Sequence, residues 1–136
     1  LRLVGSEMCI RDRKKLMEQL ADTGLTLGQP KVLDYLKEHD GASQKEIAAG
    51  CLIEAGSLTS ILNRMEEKGL IERKVLNGNR RTFHIFMTES GKKNQKLVEE
   101  AFEKIEKTAL NGISEEEQKL FMDIFCRIYR NLADMK

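Results

Sequence analysis

The chain has 136 residues, 40% hydrophobic and 33% charged, with a formal net charge of +1. It is too rich in apolar residues to be disordered and long enough for one domain, or for one small domain with an oligomerisation appendage. No apolar run approaches the roughly 18 residues of a membrane-spanning helix, and no global excess of positive charge is available to hold nucleic acid, so charge has to be read by position.

Residues 1–13, LRLVGSEMCIRDR, show neither a cap nor a sustained apolar period and read as a non-native stretch of linker type, set aside from the fold. The remnant of a first helix is expected over 14–24, with Leu16 and Leu20 spaced i, i+4. Thr26 and Gln29 form a T-x-x-Q capping box, with Pro30 in the first turn where its missing N–H costs little. The helix that follows should bury Val32, Leu33 and Leu36 and end at Asp40-Gly41. His39 falls at its C-terminus, where a partial positive charge is favourable, and no second histidine stands at metal-ligand spacing.

Ser43 and Glu46 make a second capping box and start a short helix through Ile47, Ala48 and Cys51; another helix opens near Glu54. Two short helices joined by a tight turn match a helix-turn-helix, whose second helix enters the major groove. On that second helix Leu58, Ile61, Leu62 and Met65 form the core stripe. The other side carries Gly56, Ser57, Ser60, Asn63, Arg64 and Glu67, with Thr59 on a flank. Small polar side chains of this kind let a backbone approach base edges and phosphates, although an ordinary solvated face has the same composition.

Gly69 stops the helix, and Ile71–Leu76 and Phe83–Thr88 read as strands joined through Asn77-Gly78, with Asn79, Arg80 and Arg81 at the tip. Arg73, Lys74, Arg80 and Arg81 follow one another with no acid between them, so phosphate neutralisation is expected there. The tip arginines also suit a merely soluble sheet edge; next to a groove-reading helix they can reach the minor groove. Thr88 should cap a helix from Glu89 to about Leu110 with Leu97, Ala101 and Ile105 on one face, broken at Asn111-Gly112. Ser114 and Glu117 form a third capping box before a last helix with Phe121, Ile124, Phe125, Ile128 and Leu132 along one side. Stripes this apolar need a partner, within the chain or across a two-fold interface.

Cys9, Cys51 and Cys126 form no CxxC pair, so neither a metal site nor a disulfide framework is expected; they read as buried or half-buried thiols in a reducing cytosol, with a redox switch as the alternative. There is no Gly-rich phosphate loop, no G-x-S-x-G and no paired nucleophile and base. The chain is therefore read as no enzyme, with no cofactor and no metal.

AGSLTSILNRMEEKGLIER followed by NGNRRTFHIFMTESGKK resembles the MarR family of bacterial transcriptional regulators, and the LTxxQ element at Leu25–Gln29 and the SQxEIA element at Ser43–Ala48 fit the same family. The resemblance runs in order from about Leu25 to Leu132. It implies a mainly α fold with a small antiparallel β-hairpin (α+β), a winged helix-turn-helix domain over 25–89 flanked by dimerisation helices, the C-terminal ones over 90–136. It further implies a homodimer binding double-stranded DNA at a pseudo-palindromic operator, usually repressing, released by a small anionic or phenolic effector, in the bacterial cytoplasm at the nucleoid. Carried over by position, Ser57, Thr59, Ser60 and Arg64 would meet the major groove or its phosphates. Ser43 and Gln44 would sit at a phosphate, and Arg81, with Arg80 beside it, would enter the minor groove. The chain departs from the family pattern at Asn79, where an acidic partner for Arg81 is usual, and at Ser60, which is often Arg; both should retune recognition. The alternative is a winged helix used for protein contacts without DNA.

Overall fold

The computed structural model describes the backbone of residues 2–76, 78 and 82–136, with side chains from residue 8 onward. Its elements are α1 (Arg2–Gln19), α2 (Gln29–Glu38), α3 (Gln44–Cys51), α4 (Ala55–Glu67), β1 (Ile71–Val75), β2 (Phe83–Met87), α5 (Glu89–Ala109) and α6 (Glu115–Ala133), with a 3-10 turn at Ala21–Thr23 after α1. The mainly α architecture with one antiparallel hairpin agrees with the expectation. The chain divides into two compact units, Leu1–Glu103 and Lys104–Lys136.

In the first unit α2, α3 and α4 pack around one core in which Val32, Leu33, Leu36, Ile47, Leu58, Leu62 and Met65 are fully buried. The i, i+3, i+4 and i+7 stripe of α4 is therefore core as expected, with Ile61 half-buried at its margin. The hairpin adds Ile71 and Ile85, in a register that pairs Arg73 with Ile85 and Lys74 with His84. Residues 41–43 lie along the outer edge of β2. There Gly41 N donates to Ile85 O at 2.8 Å, Ile85 N donates to Ala42 O at 2.9 Å, and Ser43 bridges His84. The loop that leads into α3 thereby pins the base of the hairpin.

Local chemistry explains where the elements stop. Ser43 and Ser114 both make complete capping boxes, with Glu46 and Glu117 respectively. After α4 the chain closes a Schellman motif, Gly69 N donating to Glu66 O and Leu70 N to Met65 O, both at 2.9 Å. Gly69 takes φ +72°, which L side chains rarely adopt, so glycine is the residue that lets β1 begin two positions later. Thr88 then caps α5, its Oγ1 accepting from Gly91 N at 3.0 Å while donating to Gly69 O at 2.6 Å. Lys37 and Glu99 join α2 to α5, and the hydrogen bond between them lowers the Glu99 pKa and raises that of Lys37.

Three expectations need correction. The first helix extends back over residues 2–13, which contain no proline to break it, although residues 8–15 are all exposed, in keeping with their missing apolar period. Thr26 is not the N-cap of α2. Gly28 holds that position, and the Gln29 side chain instead accepts from Thr26 N at 3.0 Å, ordering the turn ahead of the helix. In α5 the buried line is Gly91, Gln95, Val98 and Ala101, whereas Leu97 is exposed.

Candidate nucleic-acid interface

Leu52, at the C-cap of α3 with φ +53°, donates its N–H back to Ala48 and Ala49 carbonyls and turns the chain into α4 within three residues. The first turn of α4 is thereby presented beside the N-terminus of α3. With Leu58, Leu62 and Met65 facing inward, Ser57, Thr59, Ser60, Asn63 and Arg64 are all exposed on the remaining surface. Arg64 makes no ion pair among the described residues and is free to meet a phosphate or a base edge.

Two of the expected contact residues touch each other. Gln44 Nε2, at the start of α3, donates to Thr59 Oγ1 at 2.6 Å, and Thr59 Oγ1 donates to Ala55 O at 3.0 Å. The hydroxyl of Thr59 therefore has one lone pair left, and its methyl is a group of the kind that packs on a thymine methyl. Gln44 keeps its carbonyl oxygen and one amide hydrogen, enough for a bidentate contact with adenine.

Ser43 is more heavily committed. Its Oγ accepts from Glu46 N at 3.2 Å and its N–H donates to the Glu46 carboxylate at 3.1 Å, so a carboxylate of the chain itself already lies on the positive end of α3. A phosphate approaching that N-terminus would meet the Glu46 charge. Gln44, which leans toward α4, is the more available of the two.

The basic segment also proves divided. Arg73 forms an ion pair with Glu66 at 2.6 Å and Lys74 one with Glu72 at 3.0 Å, Lys74 also lying 5.2 Å from the centre of the Phe86 ring. Half of the four-base run expected to neutralise phosphates is thus paired within the protein. No spacing rule revealed this, because the partners of Arg73 lie across the Schellman turn, seven and ten residues back. Asn79, Arg80 and Arg81, and with them the expected minor-groove contact, lie outside the described residues.

His39 sits at the end of α2 as expected, its Nδ1 3.1 Å from Tyr35 O and its ring stacked on Tyr35 at 4.3 Å. Of the cysteines only Cys51 is buried and Cys126 half-buried; Cys9 is exposed, contrary to expectation, as are all of residues 8–15. Burial pushes the Cys51 thiol pKa up, away from the reactive thiolate.

Three helices, the third with a polar outer face, followed by a hairpin whose base is clasped by the loop before the second, define a winged helix-turn-helix. The profile described as MarR family matches residues 23–82. The chain is 24% identical to the HTH-type transcriptional regulator YdgJ of Bacillus subtilis over 85% of this chain and 71% of that one. It is similar to a MarR family regulator from Listeria monocytogenes solved with a 26mer DNA, with a TM-score of 0.87, 25% identity and coverage of 98% and 88% of the two chains. It is also similar to MepR of S. aureus in a DNA complex, with a TM-score of 0.82, 27% identity and coverage of 96% and 94%. The chain is thus similar, over its winged-helix segment in sequence and over nearly its whole length in fold, to transcriptional regulators of the MarR family.

Proposed function

We infer that the protein regulates transcription by binding specific double-stranded DNA, with α4 in the major groove and the hairpin tip over the adjacent minor groove. The observation that carries this reading is the exposed face of α4, where Ser57, Ser60 and Arg64 stand opposite a fully buried stripe and beside the Gln44–Thr59 pair. Two relatives crystallised with DNA support it. Ser43 contributes as the cap that aims Gln44, and Arg80 and Arg81 supply the positive charge of the tip.

The protein acts as a homodimer on a pseudo-palindromic operator. Phe121, Phe125 and Leu132 of α6 are 56%, 51% and 63% exposed within the single chain, an apolar row suited to a second copy. Repression, relieved by a small anionic or phenolic effector, follows by analogy with the family, as does action at the nucleoid in the cytoplasm. Among the described residues no helix is long and apolar enough to cross a membrane.

A footprint on the DNA flanking its own coding region, read with increasing salt, tests the proposal. A two-fold symmetric footprint is expected, and Arg81→Ala should shallow the salt slope by about two units, one for each protomer. Absence of binding at low salt by folded, dimeric protein would overturn it in favour of a protein-contact module.

A further inference from the structure

The register of the hairpin places Ile71, Arg73 and Val75 on one face of β1, and Ile71 and the Arg73 partner Ile85 are both buried. Arg73 thus continues the core-facing row of the strand and not its outer row, and its side chain is only 19% exposed. Its guanidinium emerges against α4, where Nη1 donates to Glu66 Oε2 at 2.6 Å and Nη2 donates to Asn63 Oδ1 at 2.8 Å. Asn63 and Glu66 are three residues apart and so lie on one side of α4, within the span of a rigid planar fork. A lysine could hold one of them, not both, in this geometry.

We propose that Arg73 is a positioning residue of the DNA interface, a two-pronged clamp that fixes the angle between the wing and the recognition helix so that both meet their grooves at once. The inference rests on the DNA-binding reading. Its physical basis is leverage. At about 3.3 Å per residue, Gly78 in the turn lies on the order of 15 Å along the chain beyond the clamp, so a tilt of about 10° at Arg73 moves that end of the hairpin by up to roughly 3 Å, the length of a hydrogen bond. The clamp also uses the acceptor of Asn63, leaving that side chain only its amide hydrogens for DNA.

Glu66→Gln in the full chain separates this role from the alternatives, because the expected sign is opposite to that of simple electrostatics. Removing an acid near DNA should tighten binding to random-sequence duplex, or leave it unchanged. A loosened clamp should at the same time weaken operator binding several-fold. Arg73→Gln and Arg73→Lys should weaken operator binding likewise, and in the Arg73→Gln background Arg81→Ala should cost no more than about twofold, because the wing is already misplaced. Melting temperatures recorded beside each affinity identify variants that fail merely by unfolding. If Glu66→Gln tightens operator and random DNA equally, or if Arg81→Ala costs the same in both backgrounds, the clamp has no positioning role and the proposal is overturned. If the unmodified protein shows no preference for its operator, it is the DNA-binding reading that fails.

Discussion

Replacing Gly91 by alanine is expected to destabilise the protein although it removes a glycine from a helix. A Cβ built there would lie 2.0 Å from the carbonyl oxygen of Leu70 and 3.1 Å from its carbon. An ordinary contact needs more than 3 Å, so α5 would have to retreat by about 1 Å from the start of the hairpin. The obstacle cannot swing aside, because Leu70 O accepts the Thr88 N–H at 3.1 Å and Leu70 itself closes the Schellman turn after α4. Overpacking of this kind costs about 1–3 kcal/mol, and the rigid backbone puts it at the upper end. Helix propensity returns about 1 kcal/mol, leaving a net loss of about 1–2 kcal/mol. The control is Gly56→Ala, also helical, where the added Cβ meets nothing within 4 Å and a gain of up to about 1 kcal/mol is expected. Thermal unfolding followed by circular dichroism, at one fixed protein concentration, should show Gly91→Ala melting several degrees lower and Gly56→Ala slightly higher. A rise in Tm for Gly91→Ala would refute the argument that close backbone approach dictates glycine at this site.

The Gln44–Thr59 hydrogen bond predicts that the two residues act as one unit. Thr59→Val and Gln44→Ala should each weaken operator binding, while the double variant, measured by fluorescence anisotropy, should be no weaker than the poorer single; losses that add within about 0.5 kcal/mol would show independent contacts. Cys51, whose Sγ lies 3.7 Å from Lys31 O in the core, should react with a thiol reagent only on unfolding, so Cys51→Ala should leave the number of fast-reacting thiols unchanged.

Much of the fold was legible because its signals are local. The capping boxes at Ser43 and Ser114 and the stop at Gly69 each depend on side chains or backbone within four residues, and each behaves as its sequence implies. The face of α5 was misread at Leu97, though not at Ala101, for a physical reason. Gly91 is buried because it touches backbone, and Gln95 is buried although its Nε2 has no hydrogen-bond partner among the described residues; neither is apolar, so periodicity could not count them. The T-x-x-Q element failed as a complete cap because Gly28, with φ +90° and next to Ile61, begins the helix two residues later. In the candidate interface the residue types of α4 were readable, but the pairings Gln44–Thr59 and Arg73–Glu66 were not. They depend on how α3 and β1 approach α4.

Those pairings bear directly on how this nearly neutral chain would hold a polyanion. Affinity falls with salt at a slope of about −0.9 for each phosphate neutralised. If all four bases of the 73–81 segment and Arg64 met phosphates, a dimer would neutralise about ten and the slope would approach −9. Arg73 and Lys74 are instead paired with Glu66 and Glu72, which removes them from that sum and leaves Arg64 with the two tip arginines expected from the sequence. About six contacts per dimer give a slope of about −5. A measured operator slope near −9 would mean that Arg73 and Lys74 abandon their carboxylates on binding, and would remove the basis for treating Arg73 as a clamp. A slope near −5 that Arg73→Gln shallows only by the share of the tip arginines, and that Arg81→Ala shallows no further in that background, is the outcome a positioning role requires, because such a residue sets where the wing sits without itself contributing a counterion-releasing contact.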